Sequence, residues 1–209
     1  MQNEILTSKR EQVYTNLSAK LRGSVVTPAS AEYEVVRRVY NGMIDRRPDA
    51  ILRCADAADV RAAVKFARDK NLPVAVRGGG HNGAGLGTCD GGIVIDLSPM
   101  KGVLVDPVTN TIWAEAGCTQ ADVNYAAHDF GLAVPLGAIS TTGIAGLTLG
   151  GGTGYLTRKY GLTLDNLLEA NLVLANGECV TASASENPDL FWGIRGGGGN
   201  FGKIGRAHV

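Results

Sequence analysis

With 209 residues, 44% of them hydrophobic and 19% charged, the chain is long enough for one large domain or two small ones sharing a cleft, with a real core. Twenty basic and twenty acidic residues cancel, which leaves no electrostatic footprint for nucleic acid or an anionic membrane surface. No apolar run approaches the roughly 20 residues of a membrane span, and residues 1–12 lack the basic-then-apolar pattern of a secretory signal. Cys54, Cys89, Cys118 and Cys179 are scattered, with no C-x-x-C and no partnered histidines. That spacing supports neither a zinc site nor a disulfide framework, so the expected compartment is the reducing cytoplasm.

In chain order, residues 1–45 read as a helical, moderately charged lead-in. Tyr33, Val35, Val36 and Val39 among charges suggest a short helix ending at Asn41-Gly42. Arg46-Arg47-Pro48 breaks that pattern, and a first subdomain runs from 46 to 100. Its elements are a strand over 50–54, a helix capped by Asp56 or Asp59 and carrying Val60, Val64, Phe66 and Ala67, a strand over 74–76, and a strand over 92–97. A second subdomain, 101–202, opens with a hairpin folded at residues 107–110. A helix follows from Thr119 or Asp122 to about Phe130, closed by Gly131. Asn176-Gly177 between apolar runs marks another hairpin, and Asn187-Pro188 opens a last helix. His128 lies on the middle helix with nothing chemical at helical spacing, and reads as a surface or packing residue.

Twenty-nine glycines are about twice the usual share, and they cluster. The first cluster follows the strand at 74–76: Arg77, Gly78, Gly79, Gly80, His81, Asn82, Gly83, then Gly85 and Gly87. Six glycines in ten residues oppose regular structure but allow positive φ and close approach of backbone N–H groups. Such groups form a concave anion site suited to a phosphate or pyrophosphate. A flexible surface loop is the bland alternative, and an uncrowded histidine among glycines argues against it. The second cluster, within residues 135–154, is uncharged and small, suited to lying against a flat aromatic cofactor. The third is Gly196–Gly199. Phosphate-loop, dinucleotide-fold, nucleophile-elbow and zinc-protease motifs are all absent or incomplete.

Four stretches in this order resemble one family: RGGGHNGAG at 77–85, GGIVIDLS at 91–98, TTGIAGLTLGGGTGYLTRKYGLTLDN at 141–166 and NPDLFWGIRGGGGNFG at 187–202. They are similar to the PCMH-type FAD-binding domain of the vanillyl-alcohol oxidase superfamily, in its berberine-bridge-enzyme-like branch. The resemblance implies an α+β fold of two α/β subdomains with the flavin of FAD between them. It implies pyrophosphate contacts from residues 77–82 and covalent attachment of the flavin 8α carbon to His81, with a simple hydrogen bond to the cofactor as the rival role. Gly83, Ser98, Gly137, Ser140, Thr141, Gly143 and Gly146 are the further implied contacts, while Asp96 can instead cap a turn.

Many relatives carry a second link through a cysteine. That place is Ile139 here, which implies single attachment. Thr142 matches a position bordering the route by which oxygen reaches the flavin, and Leu147 stands where several relatives have a histidine. The implied chemistry is two-electron oxidation of an alcohol, amine or sugar hydroxyl on a small-molecule substrate, with oxygen or another electron acceptor taking the electrons. In the family the catalytic base belongs to a substrate domain beyond residue 202. Residues 203–209 depart from the strand into which relatives continue and match a translated sequencing adapter, so they are expected to be a non-native tail on a truncated chain. The alternatives are a free-standing flavin-carrying electron-transfer subunit working with a separate partner chain, and a dinucleotide-binding regulator with no use for His81.

Overall fold

A computed structural model describes residues 12–208, and for residues 203–208 the backbone alone. Two sheets make the frame. The first has the order β1–β2–β4–β3, from β1 (Ser24–Val26), β2 (Ala50–Arg53), β3 (Val74–Arg77) and β4 (Ile93–Asp96). β2 and β3 both run parallel to β4, while β1 lies antiparallel on the outer side of β2. All four residues of β4 are buried, as a central parallel strand covered on both faces requires, and its continuous Ile-Val-Ile run supplies that cover. The second sheet is antiparallel with the order β5–β6–β9–β7–β8. Its strands are β5 (Val103–Asp106), β6 (Thr111–Glu115), β7 (Glu169–Val173), β8 (Cys179–Ser183) and β9 (Lys203–His208).

The helix α1 passes through residues 12–18, α2 is Tyr33–Val36, α3 is Ala57–Asp69 and α4 is Gln120–His128. Three more follow: α5 (Ile144–Gly150), α6 (Thr157–Tyr160) and α7 (Pro188–Gly197). The side chain of Asp56 caps α3 by accepting from Ala58 N and Asp59 N at 2.9 and 3.0 Å. Thr119 and Asp122 close a reciprocal capping box at the start of α4. One continuous core joins the two sheets through α3: Val60, Ala63, Val64 and Ala67 pack with Leu52, Ile93 and Ile95 on one side and with Ala170, Leu172 and Ile194 on the other. Arg61 and Arg68 of α3 also donate to the backbone carbonyls of Gly177 and Asn176 at the β7–β8 turn.

Two expectations need correction, and one stretch left without an element acquires one. Within the described residues the lead-in is not simply helical: it contributes β1 to the first sheet, α2 is a single turn, and residues 37–47 form an irregular strap with a turn near Asn41–Ile44. Residues 144–150, to which the sequence reading assigned no element, form α5, because Ile144, Ala145, Thr148 and Leu149 share one buried face that packing can hold against low helix propensity. Residues 203–208 do not break from the strand pattern; their backbone is β9, the central strand of the second sheet. A sheet ladder uses main-chain groups, which any residue but proline supplies in full, so an unusual side-chain sequence does not prevent it.

Candidate cofactor-binding site

β3 ends at Arg77, and the chain leaves the sheet edge through Gly78, Gly79 and Gly80. Two glycine runs meet here. A Cβ on Gly79 would stand 2.3 Å from Gly143 N, and one on Gly143 would stand 2.3 Å from Gly79 N, so neither position has room for a side chain. Gly80 adopts φ +71°, the left-handed region that glycine alone enters without strain. Beyond the crossing lies a cleft of about 580 Å³ between the subdomains. Its walls are the backbone of β3 and the loop to Asn82, the exposed face of α5, and Gly198, Gly199 and Asn200. On α5, Gly146 and Gly150 sit one turn apart and a Cβ at either would meet nothing within 4 Å. The cleft wall is therefore bare helix backbone with open space before it.

His81 stands at the rim, half-buried. Its Nε2 lies 2.9 Å from Thr141 Oγ1 and its Nδ1 3.5 Å from Thr142 Oγ1. The Tyr40 ring stacks on the imidazole, with centroids 4.0 Å apart and planes 19° from parallel. Among the described residues lining the cleft, Arg77 and His81 are the only ones with ionisable side chains.

The Arg77 side chain has a role of its own, apart from the main-chain contact expected of the residue. Its guanidinium is buried and turned away from ligand duty: Nη2 and Nε donate to the two oxygens of Asp96 at 2.9 and 3.3 Å. Nη1 donates to the carbonyls of Val36 and Arg38 at 2.7 and 3.3 Å. The residue meets the cleft through the β3 end, while its charge is spent on fixing the sheet to the strap. Asp96 does close a turn, accepting from Ser98 N at 3.1 Å and Ser98 Oγ at 3.0 Å.

Of the residues expected to touch a cofactor, Arg77, Gly78, Gly79, Gly80, His81, Asn82, Gly143 and Gly146 line the cleft, and Thr141 reaches it through His81. Gly83, Ser98, Gly137 and Ser140 do not line it. Ser98 is engaged by Asp96, Gly137 packs on the Gln120 side chain, and the Ser140 carbonyl accepts from Ala121 N at the start of α4. Gly150, Gly198, Gly199 and Asn200 line the cleft without having been singled out, although the glycine excess of both stretches was the signal for them. Tyr40 carried no sequence signal, because only the folded strap brings it to His81.

Cys54 and Cys118 are buried away from the cleft lining, and burial pushes both thiols up, that of Cys118 to about 11.

The family model described as an FAD binding domain matches residues 48–183. The chain belongs to that FAD-binding family. FAD is its cofactor, and the cleft suits it: an elongated cofactor with a flat ring needs exposed backbone N–H groups and walls without side chains, and residues 78–82, Gly146 and Gly150 provide both.

(R)-6-hydroxynicotine oxidase of Paenarthrobacter nicotinovorans is 40% identical over 189 residues, which is 90% of this chain and 41% of that protein. The crystal structure of 6-hydroxy-D-nicotine oxidase from Arthrobacter nicotinovorans superposes with a TM-score of 0.89 at 40% identity, covering 90% of this chain and 42% of that one. BBE-like 1 of Physcomitrella patens gives 0.88 at 34% identity, covering 94% and 43%. The FAD-binding chain thus has the fold of the PCMH-type, berberine-bridge-enzyme-like oxidases and spans about two-fifths of the length of the relatives it matches. No helix among the described residues is long and apolar enough to cross a membrane.

Proposed function

We propose that this chain is the flavin-holding portion of an oxidoreductase that oxidises an alcohol, amine or sugar hydroxyl on a small molecule, with FAD attached through His81. The observation that carries the reading is the position of His81: the nucleophilic side chain on the cleft lining, next to backbone stripped of side chains. Residues 78–82 hold the pyrophosphate through main-chain N–H groups, and Gly143, Gly146 and Gly150 give the ring system a wall to lie on. When bound, the flavin would supply the acceptor for the hydride, and with it the two electrons, removed from substrate. Thr141 and Thr142 hydrogen-bond the imidazole edges, which keeps His81 at the rim rather than free in solvent.

No carboxylate, tyrosine or lysine stands on the described cleft lining, so the group that takes the substrate proton is contributed from elsewhere in the holoenzyme. Oxygen is the proposed final acceptor, Thr142 being of modest size at the position that borders the route of oxygen to the flavin in relatives. The oxidases among the relatives favour this reading over a free-standing electron-transfer subunit.

The test is denaturing electrophoresis of the flavin-loaded protein. Fluorescence should migrate with the wild-type band and be absent from His81→Ala. A His81→Ala band as bright as wild type would refute attachment at this residue. Anaerobic bleaching of the flavin by one of a panel of alcohols, amines and sugars then identifies the substrate class.

A further inference from the structure

We infer that Tyr40 is a positioning residue for His81, and that the Arg77–Asp96 pair holds the strap on which Tyr40 stands. This rests on the reading of His81 as the attachment point. Tyr40 is 67% exposed, so burial does not explain where its ring lies. The ring nevertheless lies nearly flat on the imidazole at 4.0 Å. Its backbone is tied to the same loop: Tyr40 N donates to Gly80 O at 3.0 Å, one residue before His81.

The rest of the strap follows the glycine loop at every step. Asn41 Nδ2 donates to Gly83 O at 2.9 Å, and Arg46 Nη1 donates to the carbonyls of Gly85 and Thr88, both at 3.1 Å. Ile44 fills the space a side chain on Gly85 would need. At the other end, the buried guanidinium of Arg77 grips the Val36 and Arg38 carbonyls while Asp96 holds it from the sheet side. A buried arginine whose hydrogen bonds run to the strap and to Asp96 fixes the path of residues 36–40, and so the place of the tyrosine.

A half-buried imidazole would otherwise exchange rotamers within nanoseconds. Covalent attachment needs one ring nitrogen held near the methyl carbon. Attachment would replace a methyl C–H bond by a C–N bond to the imidazole, the flavin taking up the electron pair and the two released protons and passing both on to oxygen as hydrogen peroxide. Stacking by Tyr40 on one face and the Thr141 hydroxyl on one edge remove the ring's freedom before the flavin arrives, which is where alignment accelerates a bond-forming step.

The experiment adds FAD to flavin-free protein and follows covalent and total flavin separately. Tyr40→Leu should bind FAD but attach it roughly tenfold more slowly or worse, whereas Tyr40→Phe, which keeps the stacking face, should stay within about twofold of wild type. Tyr40→Leu attaching at the wild-type rate would overturn the inference while leaving His81 as the anchor. A wild-type protein without covalent flavin, or His81→Ala still labelled, would overturn both. A second measurement needs no variant: the Cε1 proton of His81 should resonate upfield of the exposed His128 through the Tyr40 ring current, and an unshifted signal would also defeat the proposal.

Discussion

Gly146 brings two opposing effects of a single methyl group to one position. It sits inside α5 with ordinary helical backbone and nothing within 4 Å of where a Cβ would go. Alanine there should raise the stability of the flavin-free protein by up to about 1 kcal/mol, from helix propensity alone. The same methyl group points into the cleft proposed to hold FAD, so FAD affinity should fall, and Gly146→Leu should abolish binding while the protein still folds. Thermal unfolding without FAD and a flavin titration check the two halves independently. A Gly146→Leu protein that binds FAD normally would remove α5 from the site.

The residue scale was also where sequence reading separated most cleanly into what it can and cannot reach. His81 and the glycines beside it stood out because their chemistry is local to one stretch. The duty of Arg77 was invisible, because its partners Val36, Arg38 and Asp96 lie far off in sequence and only packing brings them in. The bond from Ser98 to Asp96 is local by contrast, the hydroxyl being taken by the carboxylate two residues back.

At the scale of elements, α3 ties the two subdomains together, and its start depends on Asp56. Backbone donation from Asp59 N, with further bonds from Ala58 N and Arg22, holds the Asp56 carboxyl below its ordinary range. A carboxyl lowered in the folded state contributes stability in full above its unfolded value of about 3.9, and loses it as the pH falls through the lower folded value. Asp56→Ala should therefore cost about 1 kcal/mol at neutral pH. Asp56→Asn, which caps without titrating, should cost less there and flatten the acid limb of stability against pH. Denaturant unfolding between about pH 7 and pH 2 measures both.

Strands β2, β3 and β4 of the first sheet were legible as short apolar runs bounded by turn residues, whereas β1, in a stretch read as helical, was not. Nor was the glycine-rich α5. Its stability comes from Ile144, Ala145 and Leu149 packing into the core, a contribution that propensity cannot register.

On the scale of the whole molecule, the contact between Gly79 and Gly143 joins the two halves backbone to backbone. Gly79→Ala forces the strands of chain apart and should cost about 1–3 kcal/mol, lowering the unfolding midpoint and flavin retention together. Because one core runs through both sheets, adding FAD should raise a single cooperative transition rather than stabilise one half alone. Two separated transitions, with only one of them responding to FAD, would contradict this. That the chain has two parts about a cleft was readable from the order of its glycine clusters. That those parts share one core was not, since it depends on α3 touching strands more than a hundred residues away.

The strand order of the second sheet has a further consequence for biosynthesis. The first sheet has all four of its strands once residue 96 has left the ribosome, and can pair early. The hairpins β5–β6 and β7–β8 also form locally, but each keeps one unpaired rim until residues 203–208 emerge and slide between them. A nascent chain paused before that point carries two sticky edges facing each other, the arrangement most prone to pairing with a neighbouring copy. Chaperone demand during translation should therefore concentrate in the interval between the β7–β8 turn and the arrival of the last strand.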